Sequence, residues 1–345
     1  MPRSASSRSA SSPSASSRSR RSTQPIAQRE DSPEAWLRQV RGLVKNSSVT
    51  RVIDLIGDRT ALRVLQEVFA GARRFETLQS NTGIARNTLT NRLMALIEHR
   101  ILKRVQYQHN PPRSEYHLTE RGRDLYSVIL HIDAWERRWS DMAGPMLMHT
   151  PCNHELSAAL ACAKCRRMLT PRDMTFVAAS AYGPGVARRR HQRRARGLHT
   201  AEDGTSLNVA DILGDWWSAL VVSLTFFGVR RFKDMQEALG IAPNILSSRL
   251  AYLTAAGILG RRAYQESPPR YEYRLTEKGM DQYAMNIAMM AWGDHWLSPK
   301  GYESLVLKHK ACGATGVPRT VCQSCGKEIK LGDVHTKAGI PWAEL

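Results

Sequence analysis

A long internal repeat constrains this 345-residue chain more than any other feature of its sequence. Moving the sequence along itself by 157 positions aligns residues 57–58 (Gly-Asp) with 214–215, and residues 111–113 (Pro-Pro-Arg) with 268–270. The match continues for roughly 90 residues without an insertion, which indicates duplication of one fold unit; two copies are too few for a solenoid. The length also leaves room for two domains of about 100–150 residues with linkers. We therefore expect two related domains in tandem.

Each copy predicts the same order of helices. In the first copy, apolar residues at helical spacing from Val52 to Phe69 predict one helix, and Gly71 ends it. A second, short helix is expected to begin near Phe75, and a third begins after Gly83. The first half of each copy is therefore expected to be helical.

The third helix is expected to turn a polar and mostly uncharged face outward. Leu89, Leu93 and Leu96 lie at positions i, i+4 and i+7, so they form one inward stripe. Polar residues on the outer face are candidates for contacts in the DNA major groove, although exposed helix faces are polar in any protein. These candidates are Arg86, Asn87, Thr88, Thr90 and Asn91 in the first copy, and Asn244, Ser247 and Ser248 in the second. Arg92 and Arg249 lie close to the apolar stripe, which favours a structural or phosphate-positioning role.

Two short extended segments follow the third helix. They run from Leu102 to Gln108 and from Glu115 to Leu118, and a loop with two consecutive prolines separates them. Proline cannot donate a ladder hydrogen bond, so the pair predicts a hairpin with a stiff tip. Arg113 and its counterpart Arg270 are expected to reach phosphates or the minor groove from this tip, with a solvated turn charge as the alternative. A capping Thr-Glu pair then predicts a long helix that reaches Trp139 in the first copy.

This order of helices, hairpin and terminal helix predicts a winged helix-turn-helix, in a fold class that is mainly α with small β-hairpins (α+β). The motifs Arg-Phe, Leu-x2-Arg-Leu, Pro-Pro-Arg-x-Glu-Tyr and Leu-Thr-Glu-x-Gly occur in this order twice. With them, each copy resembles the HxlR-type transcriptional regulators over about 90 residues. The resemblance implies dimeric, bacterial, sequence-specific DNA binding, with the terminal helices forming the dimer interface.

The chain departs from this family at two points. Many members carry a redox-active cysteine before the first helix, and neither copy has one, which argues against thiol sensing of that kind. Copy one also places Arg100 where copy two has Gly257. A helix C-terminus at this point often needs a left-handed residue, and arginine tolerates that conformation poorly. The two copies have diverged, so they are expected to read different half-sites.

The six cysteines fall into two Cys/His segments of identical spacing. A Cys-x2-Cys turn presents two thiolates, and a more distant His-x2-Cys pair can complete the tetrahedral shell that zinc prefers. We expect each segment to fold as a zinc-ribbon-like knob around one structural Zn²⁺, so that the chain holds two. The expected ligands are His149, Cys152, Cys162 and Cys165 in the first knob, and His309, Cys312, Cys322 and Cys325 in the second.

Other roles for these cysteines remain open. They could form a redox- or metal-responsive sensor, a disulfide switch, a CxxC thiol oxidoreductase or inert thiols. A four-ligand site has no open position for a substrate water, which argues against an enzyme. His154 is a rival ligand, but the second segment has Ala314 at that position, which favours His149. Because each knob follows a long helix, we expect it to brace the end of that helix or the contact between the halves.

The charge of the chain indicates a polyanionic partner. Its formal net charge is +19 and its pI about 10.1, and binding to DNA would release condensed counterions. The apolar stretch Ser218 to Phe227 falls short of the ~18 residues that a membrane span needs. Cysteines in a ligand pattern favour a reducing compartment, so we expect the protein in the cytoplasm, on the nucleoid.

We therefore predict a tandem DNA-binding regulator that is not an enzyme and whose two winged helices act as an intramolecular pseudo-dimer on double-stranded DNA. Two chains could also associate through the amphipathic segment from Pro33 to Val44, which has no counterpart before the second copy. Trp216, Trp217, Phe226 and Phe227 could line an effector pocket, although core packing is the more common role of such a group. The expected layout is a disordered Ser/Arg-rich arm (1–32), a first winged-helix domain (33–140), a first Cys3His knob (141–182), a basic DNA-contacting linker (183–206), a second winged-helix domain (207–297) and a second knob with the tail (298–345).

Overall fold

The computed structural model describes residues 33–140, 144–178, 209–298, 303 and 305–342. The predicted arm (1–32) and the predicted basic linker (183–206) lie outside the described residues. Among the helices that the structure describes, none is both long and apolar enough to cross a membrane.

The first copy contains seven helices and one hairpin among its described residues. They are α1 (Pro33–Asn46), α2 (Ser48–Ile56), α3 (Arg59–Phe69), α4 (Phe75–Thr82), α5 (Arg86–Glu98), β1 (Leu102–Gln108), β2 (Arg113–Leu118), α6 (Glu120–Arg123) and α7 (Tyr126–Trp139). Helix α5 is the predicted recognition helix, and the antiparallel pair β1–β2 is the predicted wing. The predicted winged helix-turn-helix order is therefore present.

Two predicted helices are each broken in the structure. The helix expected from Val52 to Phe69 is interrupted at Gly57 and Asp58, because the Asp58 carboxylate accepts hydrogen bonds from the backbone amides of Thr60 and Ala61 and starts a new helix there. The terminal helix also begins with a separate short turn, α6, whose N-cap is Thr119 as predicted. The apolar periodicity was correct, but the breaks between helices were missed.

The second copy repeats this order without an equivalent of α1 in its described part. Its elements are α8 (Val209–Leu213), α9 (Trp216–Phe226), α10 (Phe232–Leu239), α11 (Pro243–Ala255), β7 (Leu259–Gln265), β8 (Arg270–Leu275), α12 (Glu277–Met280) and α13 (Tyr283–Leu297). Helix α11 is its recognition helix, and β7 and β8 pair as its wing.

The two terminal helices α7 and α13 pack against each other through reciprocal contacts. The indole nitrogen of Trp135 donates to the carbonyl of Lys278 at 3.0 Å, and the indole nitrogen of Trp292 donates to the carbonyl of Arg121 at 3.1 Å. Each residue of one bond lies 157 positions from its counterpart in the other. A second reciprocal pair joins Trp139 to Asp281 at 2.8 Å and Trp296 to Asp124 at 2.7 Å. In a two-fold interface every contact occurs twice: if residue i contacts residue j, the counterpart of i contacts the counterpart of j on the other side. The bonds of the four tryptophans follow this pattern.

Helices at the start of each copy cross to the other copy. Helix α2 packs against α13, α1 packs against α9 and α10, and α8 packs against α3 and α7. The apolar face of α1, with Trp36, Val40 and Leu43, is buried in this way. Our expectation that this segment is free to join two chains is therefore wrong: its apolar surface is used within the chain.

The Cys/His segments form an intertwined unit of short strands. These strands are β3 (Leu147–His149), β4 (His154–Glu155), β5 (Ala158–Ala161) and β6 (Met174–Ala178) in the first segment, and β9 (Leu305–His309), β10 (Arg319–Cys322) and β11 (Val334–Thr336) in the second. Apart from the pair β3–β4, every ladder joins the two segments: β5 with β10, β3 with β11 and β6 with β9, all antiparallel. The prediction of two separate knobs, at 141–182 and 298–345, is therefore wrong, because each segment supplies strand partners to the other.

The larger of two hydrophobic clusters among the described residues runs through both copies and reaches the Cys/His unit. Its buried members include Phe69 and Leu130 from the first copy, Leu220 from the second, and Cys322 from the second Cys/His segment. A core continuous across the repeat means that the halves are stabilised by packing on each other.

Candidate nucleic-acid interface and metal centres

An ion pair holds each recognition helix against the start of the helix that precedes the helix-turn-helix, α3 in the first copy and α9 in the second. The Arg249 guanidinium donates to both carboxylate oxygens of Asp215, at 2.8 and 3.0 Å, and in the first copy Arg92 forms an ion pair with one carboxylate oxygen of Asp58. Asp215 also caps α9 by accepting from the backbone amide of Ser218 at 2.9 Å. One carboxylate thus starts a helix and fixes the recognition helix. The structural role predicted for Arg92 and Arg249 is confirmed, and the spacing of 34 residues between Asp and Arg in both copies was a usable sequence signal.

The predicted groove-reading residues all lie on exposed surface. On α5 they occupy the first turn and a half, and on α11 they follow the N1 residue Pro243. Arg86 lies over the Phe75 ring at 5.0 Å, and the Thr90 hydroxyl donates to the Arg86 carbonyl at 2.9 Å, which leaves its oxygen free to accept. The exposed set is Arg86, Asn87, Thr88, Thr90, Asn91, Asn244, Ser247 and Ser248. Their contacts with DNA bases remain predictions.

The wings are built alike in both copies. Arg74 lies over the exposed Tyr107 ring at 5.1 Å, and Arg231 lies over Tyr264 at 4.6 Å, so each wing is tied to the start of the helix-turn-helix. The wing-tip residues Arg113 and Arg270 are exposed, as expected for phosphate or minor-groove contacts. The exposed tyrosines were missed by the sequence analysis, although both lie at the same position of the repeat.

The left-handed position at the end of the recognition helix is confirmed. Arg100 has φ +56° and its counterpart Gly257 has φ +71°. The Thr119 hydroxyl donates to the Arg100 carbonyl at 2.6 Å, which holds this conformation in the first copy. Arginine adopts the left-handed region at a cost of roughly 1 kcal/mol relative to glycine.

The Cys/His residues gather into two clusters, and each cluster takes ligands from both segments. In each cluster the four candidate ligand atoms lie within 4.8 Å of one another. The first cluster is His149, Cys152, Cys322 and Cys325, and the second is Cys162, Cys165, His309 and Cys312. The eight predicted ligands are thus brought together, but the predicted grouping by segment is wrong. His154 is exposed and lies outside both clusters, whereas His149 lies in the first cluster.

The cluster geometry suits a tetrahedral metal site. The sulfur atoms of Cys152 and Cys322 are 3.9 Å apart, and the Nδ1 atom of His149 is 3.3 Å from the Cys152 sulfur and 3.5 Å from the Cys325 sulfur. A tetrahedron with zinc–sulfur bonds of about 2.3 Å has sulfur–sulfur edges of about 3.8 Å. All six thiols are free, and the sulfur separation is well beyond the ~2.0 Å of a disulfide. The donor set and spacing therefore fit Zn²⁺ with no open position.

Comparison with known proteins decides the family. The family model for the HxlR-like helix-turn-helix matches residues 55–143 and again 212–301, which together cover more than half of the chain. The chain belongs to the HxlR-like helix-turn-helix family. An HTH-type transcriptional regulator of Mycobacterium tuberculosis is 39% identical over 138 residues, a match that covers 40% of this chain and 87% of the relative. The regulator YodB of Bacillus subtilis is 34% identical over 89 residues, 26% of this chain and 80% of the relative.

Two solved structures are also similar to one HxlR-like copy. A putative transcription factor from Pseudomonas aeruginosa is 32% identical and covers 37% of this chain and 91% of its own, with a TM-score of 0.26. Diamide-treated YodB from Bacillus subtilis is 34% identical and covers 26% of this chain and 88% of its own, with a TM-score of 0.23. The family match and the curated relatives, which are named HTH-type transcriptional regulators, show a DNA-binding regulator of the HxlR-like family and not an enzyme.

Backbone amides lower the pKa of one thiol in each Cys/His cluster. The amides of Cys165 and then Lys164 act against burial to lower the pKa of Cys162 to about 6. The amide of Lys327 likewise lowers the pKa of Cys325. Each cluster therefore contains one thiol that ionises readily, which is the form that binds a metal.

The Cys/His unit also touches the terminal helix of the first HxlR-like copy. The hydroxyls of Ser127 and Thr320 are 2.6 Å apart, and Nε2 of His131 is 3.2 Å from the Thr320 hydroxyl. Burial lowers the pKa of His131 to about 4, so this imidazole is neutral at physiological pH. Strand β10 of the second segment thus braces helix α7 of the first copy. This contact has the position expected for a brace between a long helix and the other half, and its effect on stability stays a prediction.

Proposed function

We propose that one chain is a pseudo-dimer that reads two DNA half-sites through α5 and α11. The observation that carries this proposal is the reciprocal bonding of Trp135 with Lys278 and of Trp292 with Arg121, which relates the two copies as the subunits of a two-fold dimer are related. Dimers of this class place their recognition helices about one DNA turn, ~34 Å, apart. Covalent fusion supplies that arrangement without a second chain.

The stoichiometry on DNA tests this proposal. Sites recovered by genome-wide crosslinking should contain two half-sites, and analytical ultracentrifugation on one recovered site should give a complex with one chain per duplex. Two chains per site, or a site with a single half-site, would contradict the pseudo-dimer while leaving DNA binding intact.

Base reading is tested residue by residue. Asn87→Ala and Asn244→Ala should each relax sequence preference at a single half-site, by about 1–3 kcal/mol for a lost base contact. The exposed His154, in the Cys/His unit and away from both recognition helices, offers the control variant His154→Ala. Equal loss of affinity for all sequences would instead assign these asparagines to phosphate contacts.

We further propose that each Cys/His cluster holds one structural Zn²⁺ that joins the two halves. The support is the donor set of three cysteines and one histidine, its tetrahedral spacing and the burial of His149 and His309. Because each ion would bind two ligands from each segment, its removal would loosen the contact between the halves.

Paired substitutions test both the metal and the crossing of the ligands. Wild-type protein should carry about two zinc ions per chain by elemental analysis, and Cys152→Ser combined with Cys325→Ser should leave one, because both residues belong to one cluster. Cys152→Ser combined with Cys162→Ser should leave none. If ligands grouped by segment, these two results would be reversed. His154→Ala again serves as control and should keep both ions.

Cytoplasmic location on the nucleoid follows from this function as part of the proposal. Fluorescence microscopy of a tagged chain that shows signal spread away from the nucleoid would contradict it.

A further inference from the structure

A predominantly apolar cavity lies where α1, β6, α9, α13 and β9 meet. Its volume is about 100 Å³. Small-molecule sites in proteins usually have mostly apolar walls and a few polar groups, and an apolar cavity of about 150 Å³ is enough to bind benzene. Its aromatic residues are Phe176, Phe226, Phe227 and Tyr283. The cavity therefore has the lining of a site for a small organic molecule, and its volume limits the occupant to about one small ring system.

One polar group of the cavity wall has no partner. The hydroxyl oxygen of Tyr283 is buried and has no hydrogen-bond partner within the part of the chain that the structure describes. Burial, and after it the nearby charge of Asp173, raises the pKa of Tyr283, so its hydroxyl stays protonated at neutral pH. A protonated phenol can donate or accept a hydrogen bond. Because a buried hydroxyl without a partner is unfavourable, a ligand with one polar atom would gain from reaching it.

The equivalent place in the first copy is occupied by an aromatic ring of the chain itself. The indole of Trp342 packs on Phe69 with ring centroids 4.9 Å apart and is almost fully buried. Phe69 corresponds to Phe226 of the cavity wall through the 157-residue repeat. Trp342 also donates its backbone N–H to Val334 at 3.0 Å, and Val334 begins β11 as the cavity residue Met174 begins β6. Each half thus has an equivalent place beside this phenylalanine. An indole fills it in the first copy, and a cavity occupies it in the second.

We infer that the cavity is a binding site for a planar aromatic molecule of about the size of indole that carries one polar atom. The equivalent place in the first copy indicates the shape of the ligand, because the same fold elements there hold the indole ring of Trp342. The unpartnered Tyr283 hydroxyl defines its polar contact. The site joins elements from both copies, because α1 and β6 come from the first half and α9, α13 and β9 from the second.

Binding of 5-fluoroindole, followed by fluorine NMR on the intact protein without DNA, tests the inference. We expect saturable binding at one site per chain. Tyr283→Phe keeps the ring and should weaken binding about fivefold, as loss of one hydrogen bond does. Its repeat counterpart gives the matched control Tyr126→Phe, which should leave the affinity unchanged. Ser223→Phe fills the cavity from α9 and should abolish binding, with thermal melting as the check on folding.

A gain-of-binding variant tests the comparison between halves. Trp342→Ala removes the indole that fills the first-copy location, so it should raise the number of bound 5-fluoroindole molecules from one to two per chain. No saturable binding to the wild type, or binding that is unchanged by both Tyr283→Phe and Ser223→Phe, would overturn the inference. The repeat offset in the Cys/His segments is 160 residues, as from Cys152 to Cys312, so the counterpart of Trp342 is Tyr182, which lies outside the described residues. Binding that appears only in Tyr182→Ala would show that the chain fills its own cavity, which also overturns it. None of these outcomes depends on DNA binding.

Discussion

Glu136 is a buried carboxyl group whose titration should lower the stability of this protein as pH rises. It lies on α7, is fully buried, and accepts hydrogen bonds from the Gln66 side chain at 2.9 Å and from the backbone amide of Val209 at the start of the second copy. Burial dominates over these hydrogen bonds and raises the pKa of Glu136 to about 7, from an ordinary value of 4.5. The folded chain therefore keeps the proton at a pH where the unfolded chain has lost it.

The sign and size of the effect follow from these two pKa values. At Glu136 the folded state binds more protons than the unfolded state between pH 4.5 and 7, so the contribution of this group to the free energy of unfolding falls as pH rises through this window. The difference of about 2.5 pKa units corresponds to about 3 kcal/mol at pH 8. About 2 kcal/mol of this loss should occur between pH 5.5 and pH 8. His131 acts in the opposite direction, because its pKa is lowered from 6.5 to about 4 and only the unfolded imidazole binds a proton between these values; this adds about 1 kcal/mol to the stability between pH 5.5 and pH 8. The contribution of Glu136 is therefore measured as a difference between a variant and the wild type, in which the effect of His131 cancels.

Glu136→Gln removes the titrating group while keeping its shape and an acceptor oxygen. Urea unfolding at pH 5.5, 7 and 8 should show the variant gaining on the wild type by about 2 kcal/mol from the lowest to the highest pH. Glu237→Gln, at an exposed position on α10, is the control and should show no such trend. A difference between Glu136→Gln and wild type that stays constant across the three pH values would refute the reasoning.

Three further substitutions test other parts of the fold. Arg100→Gly should raise the free energy of unfolding by about 1 kcal/mol, because it relieves a left-handed arginine, and thermal melting would reveal an incorrect sign. Gly293→Ala should destabilise the protein by about 1–3 kcal/mol, because its Cβ would lie 2.8 Å from a backbone oxygen of α2; an unchanged melting temperature would contradict that close approach. Asp215→Asn should weaken DNA binding by loosening Arg249 on the recognition helix, measured by fluorescence anisotropy. Unaltered affinity would limit the ion pair to a role in stability.

The elements of each copy could be predicted because their signals are local. The Leu89 and Leu93 stripe, the proline pair at the wing tip and the Thr119 cap each specify a helix or hairpin within a few residues. The break at Asp58 was also readable, since aspartate is a strong N-cap and lies in the middle of the predicted helix. It was missed because apolar periodicity continues across the break.

The grouping of the metal ligands could not be predicted from the same sequence. Both segments have identical spacing, so His149 with Cys152 can be completed equally well by the Cys-x2-Cys turn at 162–165 or by the one at 322–325. The choice is made by strand pairing between the segments, which depends on how α7 and α13 bring them together. Residue spacing alone contains no information about that long-range arrangement.

Fusion of the two copies also explains how the halves can differ at equivalent positions. In a symmetric dimer of identical chains every substitution occurs twice, so a change that suits one side must be tolerated on the other. Here the position of Glu136 on α7 is occupied by Gly293 on α13, where α2 approaches so closely that a Cβ would lie 2.8 Å from the backbone of Ser48. A glutamate on α13 would clash, whereas on α7 it has room to accept the amide of Val209. The indole of Trp342 opposite an open cavity is a second difference of this kind. A duplicated chain can thus keep two similar helix-turn-helix units while its buried residues differ between the two copies.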